Sequence, residues 1–258
     1  MPRFSHDRLQ LAYVDEGRRD APAVLLIHGF ASNGRVNWIE PGWMQALTDA
    51  GYRAIAIDNR GHGDSDKPHE PDAYRPQVMA ADAIALLDAL GLKRAHLFGY
   101  SMGARIAAFA ALAHADRVDH LVFGGLGLGM VEGVGDWDPI ADALLAPSLD
   151  DVTDARGRMF RAFADKTGSD RLALAACITA SRTPLTPDQM GAIAAPTLIG
   201  VGTKDDLAGP PQPLAAMMPK AAALDIENRD HMLAVGDKTF KRAVLDFLGD
   251  RPQDPPRA

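Results

Sequence analysis

Cysteine is nearly missing from this chain: Cys177 stands alone among 258 residues, so no disulfide framework can hold the fold. Basic residues are outnumbered, 27 Lys and Arg against 34 Asp and Glu, for a formal charge of −7. That deficit argues against nucleic acid or an anionic membrane surface as partner, because phosphate binding needs clustered Lys and Arg. No uninterrupted apolar stretch nears the roughly 18–20 residues that span a bilayer. The opening MPRFSHDRLQLAYVDEG is polar and mixed, without the basic-then-apolar order of a secretory leader, so the expected location is cytoplasmic. No His/Cys/Glu cluster has metal-ligand spacing, so no metal is expected, and no glycine-rich phosphate loop occurs. The sequence carries no mark of oligomeric state. What remains is a globular composition, 47% hydrophobic and 24% charged, enough for a substantial core.

Short β-like runs alternate with longer helical segments. Leu9–Val14, Ala23–Ile27, Arg53–Ile57, Ala95–Phe98 and Val118–Phe123 read as strands; most are continuous apolar runs of the kind buried on both faces. Trp43–Ala50, Arg75–Leu90 and Met102–Ala113 read as helices, the first two stopped by Gly51 and Gly91. This alternation predicts an α/β fold, a mostly parallel sheet with helices on both faces. After Phe123 the rhythm breaks at a glycine-rich run, 124–135, and 136–190 reads as helical pieces without a buried strand. Strands return at Pro196–Val201 and weakly at Ala221–Ile226, before a last helix at Lys238–Leu248. The expectation is one domain over 1–249 with a helical insertion at about 130–190, then a disordered tail at 250–258.

Gly99-Tyr100-Ser101-Met102-Gly103 matches G-x-S-x-G at a strand-to-helix junction, which presents a serine hydroxyl at the carboxyl end of the sheet. A serine hydroxyl needs a base to take its proton. Of eight histidines, His231 falls between the last weak strand and the last helix, and so opens at the same sheet edge as Ser101. The base in turn needs a carboxylate to orient it and stabilise its charged form. Asp205 and Asp206, just after the strand at Pro196–Val201, both qualify. The chain order is then Ser101, Asp205 or Asp206, His231.

With that order the chain resembles the α/β-hydrolase superfamily. The resemblance rests on His28-Gly29-Phe30, the stretch Asp58 to Asp66, the Ser101 elbow, Gly202 to Asp205, and Asp230-His231, and runs from about residue 10 to 249. It implies Asp205 as the acid, and an oxyanion hole formed by the backbone N–H groups of Phe30 and Met102. Fixed donors of that kind contribute about 3–4 kcal/mol each. His28 and Gly29 would shape the turn presenting Phe30, and Asp58–Asp66 would be a structural loop with His62 outside the chemistry. The helical insertion would form a lid, with Leu126, Leu128, Met130, Trp137 and Leu207 as expected pocket residues.

The expected activity is that of a serine hydrolase, cleaving small soluble carboxylic esters through an acyl-enzyme, without cofactor. Epoxide hydrolases and haloalkane dehalogenases of the superfamily resemble the chain at Asp58–Asp66 but use an aspartate nucleophile, whereas position 101 is serine. C–C bond hydrolases, enol-lactone hydrolases and perhydrolase-like bromoperoxidases share the Ser-Met-Gly elbow. Against the first stands Ala31-Ser32-Asn33-Gly34, where Gly-Pro-Gly is usual; against the second, Ala104, where glycine is usual. A non-catalytic small-ligand receptor of the same fold can retain all three residues, and turnover of an activated ester separates it from an enzyme.

Overall fold

The computed structural model describes residues 1–249; the tail expected to be disordered lies outside the described residues. Eight strands among them form one sheet in the order β1 (Arg3–His6), β2 (Leu9–Glu16), β4 (Arg53–Ile57), β3 (Ala23–Ile27), β5 (Ala95–Tyr100), β6 (Val118–Gly124), β7 (Thr197–Gly202) and β8 (Ala221–Ile226). β2 is antiparallel to β1 and β4, and the pairings from β4 through β8 are parallel. Between the early strands lie helices α1 (Trp43–Asp49), α2 (Pro76–Ala89) and α3 (Met102–Ala113). Between β6 and β7 come α4 (Gly129–Glu132), α5 (Asp138–Leu145), α6 (Ala155–Thr167), α7 (Arg171–Ala180) and α8 (Pro187–Ala192); α9 (Pro211–Ala216) and α10 (Lys238–Gly249) complete the chain.

β3, β4, β5 and β7 are buried at every position, which is why they read as unbroken apolar runs. The pleat still sorts their side chains by parity. Leu25, Ile27, Ile55, Ile57, Leu97 and Ile199 face α2 and α3, where Ile84, Leu87 and Ile106 meet them. Val24, Leu26, Ala54, Ala56, Phe98 and Leu198 face α1 and α10, against Trp43, Leu47, Phe240 and Val244. Aromatics are scarce at 6%, and several collect behind the elbow strand: Trp38 and Trp43 each set a ring 4.7 Å from that of Phe98. Full burial of one such side chain is worth about 1.5–3 kcal/mol, so this cluster anchors the strand that carries Ser101.

The segment from α5 to α7 carries its own small core of Ile140, Leu144, Ala164, Leu174 and Ile178. It contacts the sheet domain through Phe30, whose ring lies 6.3 Å from Trp137 and 5.5 Å from Phe160. Asp154 and Asp170 cap α6 and α7 by accepting from the Gly157 and Ala173 N–H groups, and Thr186 with Gln189 forms a capping box on α8. The loop at 58–66 is tied down by a buried ion pair, Arg60 donating twice to Asp82 at 2.7 Å. β1 was not foreseen, for a physical reason: RFSH offers one buried apolar residue, Phe4, and pairing with β2 supplies the rest.

Candidate active site

Ser101 sits between β5 and α3 with φ 55° and ψ −115°, a left-handed conformation that a side chain adopts only under constraint. The two flanking glycines provide that constraint by absence. A Cβ on Gly99 would lie 2.1 Å from the Gly103 carbonyl oxygen, and one on Gly103 would lie 1.9 Å from the Ile27 carbonyl oxygen. The turn closes because neither exists. The Ser101 N–H donates to the Gly124 carbonyl at 2.7 Å, fixing the strained residue to β6.

The Ser101 hydroxyl meets His231 Nε2 at 3.1 Å, and His231 Nδ1 meets Asp205 Oδ2 at 2.7 Å. The second Asp205 oxygen accepts from the Leu207 and Ala208 N–H groups at 3.0 and 3.1 Å. The Asp205 side chain is completely buried, while His231 keeps 16% of its side chain exposed. Asp206, its neighbour, is exposed. Gly202 lets the two loops meet: a Cβ there would lie 2.1 Å from the Arg229 carbonyl oxygen, to which Lys204 N–H donates. Tyr100, the residue between the elbow's first glycine and serine, donates its hydroxyl to the His231 carbonyl at 2.6 Å and sets its ring 5.6 Å from the imidazole, tilted by 53°. Burial raises the Tyr100 phenol far above its usual range, so it remains a donor. No pattern in composition or spacing marks this pin.

The Phe30 and Met102 N–H groups have no protein acceptor among the described residues. Met102 opens α3, whose first N–H groups and dipole favour negative charge. Two buried histidines hold the turn before Phe30. His28 Nδ1 donates to Gly29 O at 2.7 Å while Nε2 accepts from Asn59 N–H; His62 Nδ1 donates to Arg60 O at 2.9 Å while Nε2 accepts from Ala31 N–H. Each ring must therefore be neutral, and burial agrees, pulling His28 down to about 4 and His62 to about 3. Asp58 accepts from Gly34 and Asp64 N–H groups, so the 58–66 loop is scaffold for this turn.

These histidines predict acid lability. Their folded pKa values lie below the ordinary 6.5, so from pH 6.5 downward the unfolded chain binds protons that the native one refuses. Stability present above pH 6.5 is lost as pH falls towards 4, at about 1.4 kcal/mol per unit for each ring. From pH 6.5 to 5 the melting temperature is expected to drop on the order of 10 °C. A melting temperature flat across that interval contradicts neutral rings at His28 and His62.

A cavity of ≈ 40 Å³ opens at Ser101 and His231, lined by Phe30, Leu126, Val134, Trp137, Ile178 and Leu207 among others. Of the expected pocket residues, Leu126, Trp137 and Leu207 line it; Leu128 and Met130 do not. The turn of α4 is the reason. It carries Met130 into the main core with no exposure and leaves Leu128 against the Gly209 loop. Sequence reasoning missed Arg105, Ser181 and Arg182, which also line the cavity. For Arg105 a signal existed: it lies four residues after Ser101, one helical turn along α3. Cys177 is fully buried, its thiol pushed up to about 12 and donating to Met102 Sδ at 3.7 Å, so it is packing. Among the described residues no His, Cys, Asp and Glu group could hold a metal ion, and no helix is long and apolar enough to cross a membrane.

Comparison with known proteins bears on the fold. The chain is similar to epoxide hydrolase A of Mycobacterium tuberculosis, 40% identical over 110 residues, or 43% of this chain and 33% of that protein. The chain thus spans about a third of the length of the curated relatives it matches. Its fold is similar over nearly the full length to a bromoperoxidase from Bacillus anthracis, with TM-score 0.78, 26% identity, and coverage of 94% of this chain and 96% of that one. It is also similar to Est816, described as an N-acyl homoserine lactone degrading enzyme, with TM-score 0.76, 25% identity, and coverage of 95% and 100%. The family model for the alpha/beta hydrolase fold matches residues 22–170, from the first parallel strand through the Ser101 elbow into the helical segment, and the chain belongs to that family.

Proposed function

We propose that this protein is a cofactor-independent serine hydrolase of small, soluble carboxylic esters. The observation that carries the reading is the continuous hydrogen-bonded relay from Asp205 through His231 to Ser101, ending on a hydroxyl held at φ 55°. In the reaction, Ser101 Oγ attacks the ester carbonyl while His231 Nε2 accepts its proton. Asp205, anchored on the Leu207 and Ala208 N–H groups, holds Nδ1–H and stabilises the imidazolium. The carbonyl oxygen becomes negative between the Phe30 and Met102 N–H groups. His231 then protonates the departing alcohol, and a water that gives its proton to His231 releases the acid from Ser101. The α5–α7 segment acts as lid, excluding water through Trp137 and Ile178. Opening a lactone ring is the same chemistry with a tethered alcohol, and the likeness to Est816 favours including it.

Epoxide opening is disfavoured despite the names of the curated relatives. A carboxylate nucleophile turns an epoxide into an ester, which water can hydrolyse. A serine at position 101 would form an ether instead, and a histidine-activated water has no carbonyl to attack. Turnover would stop after one event.

The cavity has room for about three waters. We therefore expect short acyl chains, roughly two to six carbons, without activation at a lipid interface. Comparing kcat/KM for acetyl, butyryl, octanoyl and palmitoyl esters of one alcohol tests this. A maximum at palmitoyl, or a rate jump when substrate forms droplets, contradicts it.

A further inference from the structure

The chain carries seven more acidic than basic residues, yet no Asp or Glu lines the candidate cavity. Its charged wall is Arg105 and Arg182, beside His231. Arg105 is 3% exposed and spends its guanidinium on backbone carbonyls: Gly129 and Met130 at 3.0 Å, Thr183 at 2.9 Å. These bonds clamp both roots of the helical segment to α3, which explains a long multi-donor side chain here. Among the described residues the charge has no counter-anion. Burial draws Arg105 down only to about 10, so it stays protonated at neutral pH. A buried, unpaired cation is costly unless an anion joins it.

Arg182 offers the place for that anion. Its Nη2 donates to Asp138 Oδ1 at 3.0 Å, but Asp138 is 81% exposed and such a pair is weak in water. Its Nε–H is buried and has no acceptor among the described residues. Leu126, Val134, Trp137 and Ile178 give the cavity an apolar lining, which strengthens a charged hydrogen bond by excluding water. The small room suits a carboxylate on a short methylene link.

We propose that the substrate carries a free carboxylate that accepts from the Arg182 guanidinium in the field of Arg105, so that the bond cleaved belongs to a half-ester of a short dicarboxylic acid. This rests on the hydrolase reading above. The carboxylate is a recognition group and takes no part in bond breaking.

The test compares kcat/KM for monoethyl malonate, succinate and glutarate with ethyl propionate, butyrate and valerate, in which methyl replaces carboxylate. At the best length the half-ester is expected to exceed its neutral partner at least tenfold. Arg182→Gln is expected to cut that ratio at least tenfold, and Arg182→Lys to restore part of it. A wild-type ratio at or below one for all three lengths, or a ratio indifferent to Arg182→Gln, overturns the proposal. Calorimetric titration of each half-ester into Ser101→Ala protein reads the same contact without turnover. Saturable binding, weakened at least tenfold by added Arg182→Gln, is expected, and its absence overturns the carboxylate site. Binding with no turnover of either ester series by wild type overturns the hydrolase reading alone.

Discussion

Ser101→Ala is expected to remove nearly all ester turnover, on the order of 10⁶-fold, while leaving the melting temperature within a few degrees of wild type. The size follows from how the site is built. Alanine keeps the Gly124 carbonyl contact through its N–H and fits the same turn, so the fold loses little. What it loses is the atom proposed to attack. The Phe30 and Met102 N–H groups and the cavity remain, and they leave a residual acceleration over water. Activity within tenfold of wild type, in protein that melts normally, contradicts Ser101 as nucleophile.

Asp205→Asn is expected to cut turnover by about 10⁴-fold, and Asp206→Asn by no more than a few-fold. The asymmetry is set by the anchors of the carboxylate. The Leu207 and Ala208 N–H groups hold one Asp205 oxygen, so an asparagine amide would keep its oxygen there and turn its NH₂ towards His231. The imidazole would then accept at Nδ1 and carry its proton on Nε2, facing Ser101 with no lone pair to act as base. Asp206 is exposed and shares none of this. Steady-state kinetics on one activated ester decides it; Asp206→Asn proving the more damaging change would reverse the roles.

The parallel strands were readable because burial on both faces leaves no alternation to misjudge, and Ala23–Ile27 and Arg53–Ile57 fall where their apolar runs stand. β1 escaped because an edge strand with one core residue has almost no pattern. At the site, the elbow and the order of Ser101, Asp205 and His231 are local features of sequence, and so could be read. The cavity wall could not, because it depends on how α4 turns and where 178–182 lands after three helices. Thus Leu126 and Leu207 face the cavity while Leu128 and Met130 turn away, and Arg182 arrives from 81 positions beyond Ser101. Residues that act through backbone contacts, such as Tyr100 on the His231 carbonyl, leave no trace in composition or spacing.

On the proposed reading, Ser101 is a nucleophile activated by His231. Labelling the purified protein with a serine-reactive phosphonate, then locating the adduct by mass spectrometry, tests it most directly. One adduct per chain is expected, on Ser101, forming at least a thousandfold more slowly in His231→Ala. An unlabelled protein, an adduct on another residue, or labelling indifferent to His231→Ala would contradict it.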